Sequence, residues 1–304
     1  MMQMRDLTQI KKIDAHTHLA KCSGMYMMSS EERDQYNRVM GIDRCILLAN
    51  APNRNLPAQV AEHMIFNEDA ARLCQENPGK YDWLCNLIPE GTEKTRDELK
   101  KCKELGARGV GEFSSRLRLD SPVMRHFLSC CEELEMPFLF HMAPEDTEPN
   151  YGVVDDAGLP ALENILRDFP RLVVLAHSQP VWFEISAHSA AVSAQERNRY
   201  HYGAVTPGRL VELMDRYPNL YLDLSARSAG SALLRDPDFS VGFIEKFADR
   251  LIFGTDALAV TDVMALGHWL ELMAISGRIS PETYRKILRE NAVRVFRLQD
   301  GALA

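Results

Sequence analysis

The sequence lacks a paired-cysteine motif, a glycine-rich phosphate loop, a basic excess and any apolar run of membrane-spanning length. Each absence removes a class of function. Its seven cysteines (22, 45, 74, 85, 102, 130 and 131) are odd in number and scattered, none forms Cys-x-x-Cys, and several lie in apolar segments. They read as reduced core residues of a cytoplasmic protein, not as a disulfide framework. Acidic residues outnumber basic ones by 43 to 35, for a net charge of −8 and a pI near 5.6. Nucleic acid and anionic membrane both favour basic surfaces, so neither is an expected partner, although one local arginine could still hold an anionic substrate. Residues 1–12 carry no apolar core of a signal peptide, which agrees with the cytoplasmic expectation.

What is present is a large apolar fraction, 46% against 26% charged, over 304 residues. That length is ordinary for a single α/β barrel. No fixed-period repeat is visible, but a unit of short apolar run, loop and amphipathic segment recurs. Strands are expected at 12–15, 44–49, 83–88, 107–113, 137–141, 171–176, 219–224 and 250–253. Helices are expected at 30–40, 59–77, 92–105, 122–135, 158–169, 206–217, 241–247 and 280–296. Strands alternating with helices favour a parallel sheet, and eight such units favour a closed (β/α)8 barrel of one domain spanning 1–304. An open doubly wound sheet is the alternative, but no glycine-rich loop follows the first strand. Two long connections, 142–156 and 178–205, follow strands and so belong over the C-terminal mouth, where barrel active sites form.

The chemistry is concentrated at strand ends. The first strand runs into Asp14-Ala-His16-Thr-His18. Residues two apart on a strand share a face, so His16 and His18 project together with Asp14 one step behind. The fourth strand ends in Glu112, the fifth in His141, the sixth in His177, and the eighth leads to Asp256. A barrel would bring all of these to one mouth. Imidazoles with carboxylates suit zinc or a similar divalent ion, which can acidify water for attack at neutral pH. Asp256 is then placed to accept that proton and return it to a leaving group. Glu112 has two open readings, a ligand bridging two ions or a partner that orients a histidine ligand from behind.

On these strand-end residues the chain resembles the amidohydrolase superfamily, most closely its amidohydrolase-related branch of metal-dependent hydrolases and decarboxylases. The resemblance runs from the first strand to the eighth. It implies one or two divalent ions, zinc foremost with manganese or iron as alternatives. His16, His18, His141 and Asp256 would be ligands. It further implies that His177 binds a second ion or orients the reacting water, and that Glu112 takes the bridging place that some members fill with a carboxylate or carboxylated lysine. Two functions follow: hydrolysis of an amide, lactone or ester of a small molecule that can be anionic, or non-oxidative decarboxylation of an aromatic or unsaturated acid. Glu112 favours hydrolysis, as does Ser-Gln-Pro after His177, where the decarboxylases commonly have a glycine-glutamate pair. A non-catalytic barrel would be expected to lack a ligand, and none is missing.

The remaining candidates are plainer. Arg227, after the seventh strand, is the candidate for holding a substrate carboxylate or phosphate. Arg116 and Arg118 read as surface groups, Trp182 and Phe183 as pocket lining or loop anchors, and His63, His126, His188, His201 and His268 as structural or solvated. Self-association into a homo-oligomer is an expectation by analogy with other barrel enzymes.

Overall fold

In the computed structural model, which describes residues 7, 9–51, 61–144, 151–189 and 191–300, eight parallel strands follow one another around a ring. They are β1 (Lys12–Thr17), β2 (Ile42–Leu48), β3 (Tyr81–Leu84), β4 (Val110–Phe113), β5 (Phe138–His141), β6 (Val174–His177), β7 (Leu220–Asp223) and β8 (Leu251–Ile252). The ladder forms two arcs, β1-β2-β3 and β4 to β8 in order. Backbone bonds close both seams. The Cys85 N–H donates to Gly109 O and the Gly111 N–H to Cys85 O, both at 2.9 Å. Opposite them, Ala15 N–H donates to Phe253 O at 3.1 Å and Asp256 N–H to His16 O at 2.9 Å. The chain is a single (β/α)8 barrel, as the alternation of apolar runs and helical segments implies.

Apolar residues separate into two cores, as a barrel requires. Ile13, Ile46, Leu84, Leu139, Leu175 and Ile252 fill the interior, and Val295, Phe296 and Leu298 close it at one end. β4 faces inward with glycines: a Cβ on Gly111 would stand 2.8 Å from the Leu139 Cβ. The second core lies between strands and helices and includes Phe113, Phe127, Phe138 and Phe140.

Helix α1 (Ser30–Met40) occupies its expected range because both ends are marked in sequence. The Ser29 hydroxyl accepts from Glu32 N–H, the Glu32 carboxylate accepts from Ser29 N–H, and Gly41 takes φ 68° at the other end. Helix α2 (Asn67–Glu76) starts later than the pattern over 59–77 suggests. Met64 pairs with Ala20 in an antiparallel bridge, and Asp69 caps Phe66 N–H, while residues 59 and 60 lie outside the described residues. Helices α3 (Glu93–Glu104), α4 (Pro122–Glu133) and α5 (Pro160–Asp168) match expectation to within a few residues.

The long connection after β6 is not bare loop. It carries two short helices, α6 (Gln179–Phe183) and α7 (Ala194–Arg197), before α8 (Arg209–Arg216). Between β7 and β8 come α9 (Ala226–Leu234) and α10 (Pro237–Lys246). Helix α9 escaped the sequence pattern because its Ala-Arg-Ser-Ala-Gly-Ser-Ala-Leu-Leu is short and built largely of small residues. The chain ends in α11 (Ala265–Ile275), α12 (Pro281–Arg285), a π turn (Lys286–Glu290) and α13 (Asn291–Phe296), the last three dividing the helix expected at 280–296. No helix among the described residues is long and apolar enough to cross a membrane.

Candidate metal centre

Register decides which side chains reach the mouth. β5 and β6 pair in step, with Leu139 opposite Leu175 and His141 opposite His177. Both leucines lie in the interior core, so both histidines, two residues on, continue the same inward face. β7 follows the same rule, with Asp223 two residues beyond inward-facing Tyr221. β1 and β4 break it. Ile13 and Ala15 fill the interior, so Asp14 points outward and pairs with Arg33 of α1, not inward beside the histidines as strict alternation would have it. A register irregularity between Asp14 and Thr17 then turns His16 into the mouth. A matching irregularity between Val110 and Phe113 does the same for Glu112.

Beneath the site, Gly254 is required by crowding, since a Cβ there would lie 2.8 Å from that of His16 and 3.0 Å from that of Ser225. Three non-glycine residues with positive φ, Ser178 (90°), Ala226 (59°) and Asp256 (53°), stand just past β6, β7 and β8. Backbone held in this sparsely populated region clusters where a site must be shaped.

The six residues expected to act together do meet. Glu112 Oε2 lies 3.4 Å from His18 Nε2 and 3.8 Å from His16 Nε2. Glu112 Oε1 faces the other way, 2.8 Å from His141 Nδ1 and 3.5 Å from His177 Nε2. Asp256 Oδ1 stands 3.6 Å from His16 Nε2 and 3.7 Å from His18 Nε2. Two sets of donors lie close enough to share an ion: His16, His18 and Asp256, and His16, Glu112 and His177. His141 belongs to neither set, and its Nδ1 meets Glu112 Oε1 at 2.8 Å.

One member of the site has no counterpart in the sequence reading. Asp223 Oδ2 is 2.5 Å from His16 Nδ1 and 3.5 Å from His177 Nδ1. Its signal was available, since Leu-Asp-Leu-Ser ends β7 as the histidines end β5 and β6. Ser225 Oγ lies 3.1 Å from His177 Nδ1, so both buried histidines have a partner behind them.

The protein's own charges set the protonation. Burial works to lower the His16 pKa, but Asp223, Asp256 and Glu112 outweigh it and push it up to about 10. His177 is driven down to about 3 by burial and by the neighbouring His16 and His141, so it is a neutral ring. Burial would raise Glu112, yet His141, His18 and His16 hold it well below the usual carboxylate range. Asp256 is raised by burial, with Glu112 and Asp223 adding to the effect.

These features fit a divalent cation. His16 Nε2 is buried with no hydrogen-bond partner among the described residues, and three carboxylates converge on that ring. With Nδ1 taken by Asp223, Nε2 is the atom that His16 would offer to an ion. An imidazole and carboxylate set of this kind suits zinc, manganese or iron.

Above the centre are two chambers that share Tyr200, Ala226 and Asp256. The inner one, about 290 Å³, is bordered by His141, Tyr151, His177, Gln179, Asn198 and Ser228. The outer one, about 640 Å³, runs along α9 and is bordered by exposed Arg227. Arg116 instead donates to Ala143 O and Pro144 O, and Arg118 pairs with Asp120 and Asp156. Trp182 and Phe183 are buried and anchor the connection, with the His188 ring tilted against Phe183 at 4.6 Å and the His201 ring edge-on to it at 5.0 Å. All seven cysteines are free, and Cys22 is exposed rather than buried.

Comparison with known proteins agrees with this architecture. The family model described as amidohydrolase matches residues 13–298. An uncharacterised TIM-barrel protein from Bordetella bronchiseptica is 17% identical, with 95% of this chain and 99% of that one aligned at a TM-score of 0.65. A 2,6-dihydroxybenzoate decarboxylase from Rhizobium is 21% identical over 97% and 99% of the two chains, TM-score 0.60. A putative 2-pyrone-4,6-dicarboxylic acid hydrolase from Pseudomonas putida is 16% identical over 95% and 99%, TM-score 0.58. No curated protein matches the sequence. At these identities the solved structures speak for the fold alone.

Proposed function

The chain belongs to the amidohydrolase family, and on that premise we propose that it is a metal-dependent hydrolase cleaving an amide, lactone or ester bond of a small molecule. The observation that carries this reading is the two-sided placement of Glu112. One carboxylate oxygen faces His16 and His18, and the other faces His141 and His177. That is how a carboxylate bridging two ions would stand, and paired ions suit water activation.

His16, His18 and Asp256 would hold one ion, and Glu112 with His177 would face the second, His141 standing against the same Glu112 oxygen. Zinc is the first choice, with manganese or iron as alternatives. When bound, such ions lend Lewis acidity to water and to a substrate carbonyl. The chain's own groups do the rest. Asp256, whose carboxyl holds its proton more readily than an ordinary carboxylate, takes a proton from the attacking water and gives it to the leaving group. Asp223 fixes the orientation of His16, and Ser225 fixes that of His177. Buried Ser228 Oγ and Gln179 Oε1 border the inner chamber without partners and supply hydrogen bonds to the substrate. Arg227 holds an anionic group at the entrance to the outer chamber.

Glu112→Gln tests the reading. Bound metal should fall from about two ions per chain to one, with hydrolysis of lactone, amide and ester panels lost. An unchanged metal count would remove the bridge and leave Glu112 as a partner of His141. Release of carbon dioxide from aromatic or unsaturated acids, with no hydrolysis, would replace the proposal with decarboxylation.

A further inference from the structure

The outer chamber has a polarity that the metal centre does not explain. Its wall is one face of α9, where Arg227, Gly230, Ser231 and Leu234 recur at helical spacing, and Arg235 follows at the far end. Val263, Met264 and Leu266 give the opposite side an apolar character. Eight residues of helix separate the two arginines by about 12 Å along the axis.

Neither guanidinium is salt-bridged among the described residues. Arg227 rests on the Tyr200 ring at 5.1 Å, and Arg235 Nε is buried with no hydrogen-bond partner. Asp236 lies near enough to attract Arg235 without a salt bridge, and the nearby acids are held by other groups. Asp262 accepts from Leu258 and Ala259 N–H at 2.8 and 2.9 Å. Asp236 accepts from Val205 and Phe239 N–H, and Glu196 faces Arg199 and His201. A half-buried guanidinium with an unfilled donor at the end of an apolar trough is a binding position for an oxyanion.

We propose that Arg235 is the distal anion-binding group of the substrate site. The substrate is then an elongated acid: a hydrolysable bond at the metal centre, an apolar middle along α9, and a carboxylate or phosphate at Arg235. This rests on the reading of the mouth as a hydrolytic site.

The test is calorimetric binding to the metal-loaded protein of linear dicarboxylates from succinate to dodecanedioate, and of alkane bisphosphates of matching length. Affinity should rise once a ligand is long enough to reach both arginines. Arg235→Gln should weaken the long members about tenfold, leave the short ones unchanged and flatten the length profile. Arg235→Lys should restore part of the loss, and Arg227→Gln should weaken every member. The tighter series identifies the anion as carboxylate or phosphate. A long-ligand affinity unchanged in Arg235→Gln, or no length dependence in the unmodified protein, overturns the proposal. Because binding is the readout, a protein that holds long diacids through Arg235 yet hydrolyses nothing would keep this subsite and lose the hydrolase assignment.

Discussion

The two ends of the barrel are built from the same eight strands and obey opposite rules. At the closed end, Val295, Phe296 and Leu298 plug the interior, and the charged groups nearby are matched: Arg289 pairs with Asp43 and Asp300, and Arg44 with Asp82. At the mouth, four histidines and three carboxylates crowd together, and among the described residues His16 Nε2 has no hydrogen-bond partner and neither Arg227 nor Arg235 is salt-bridged. One end is satisfied by the chain itself, and the other is satisfied only by what binds there. Stability resides in the first and function in the second.

The largest expected break in this contrast is Asp256→Asn. Turnover should fall by about two to four orders of magnitude, the size of a lost general base, while the thermal midpoint barely moves. Normal steady-state rates in the purified variant would remove Asp256 from the chemistry. Asp14→Asn sharpens the comparison from beneath the mouth. It leaves Arg33 as a buried charge without its partner, so unfolding in denaturant should show a loss of about 3–5 kcal/mol. A change of a few tenths would mean that Thr255 alone satisfies Arg33.

Phe296→Ala makes the opposite prediction to Asp256→Asn. Removing the ring from the plug should cost about 3–5 kcal/mol of stability and leave turnover per folded molecule unchanged. Loss of activity without loss of stability there would erase the distinction between the two ends. The last prediction concerns pH. In chelator-treated protein the raised His16 pKa contributes stability in full below about 6.5, the unfolded value, and loses it as pH rises through about 10. The thermal midpoint should therefore decline from neutral pH to pH 10, and His16→Asn or added zinc should flatten that decline. A slope identical in His16→Asn would show that other groups carry it.

The closed end was the more legible in sequence. Short apolar strands and Gly41 after α1 announce the barrel because each reflects a local rule. Strand ends were legible too: His141 and His177 follow inward leucines by two residues, so alternation alone points them at the mouth. His16 and Glu112 reach it only through register irregularities in β1 and β4, which no pattern of residue types reveals. That is why Asp14 read as facing the histidines when it faces Arg33 instead. Asp223 obeys the same logic, as an aspartate closing a strand beside two histidine-ended strands, and it stands four residues before Arg227. The outer chamber was least visible, since α9 is built largely of small residues and Arg235 acquires meaning only from the cavity it borders.

Metal content tests the central claim most directly, by elemental analysis of protein purified without chelator or added metal. The account predicts about two divalent ions per chain in the unmodified protein and a loss of bound metal in His16→Ala that leaves the barrel folded. Metal-free protein that stays metal-free after incubation with zinc or manganese would contradict it.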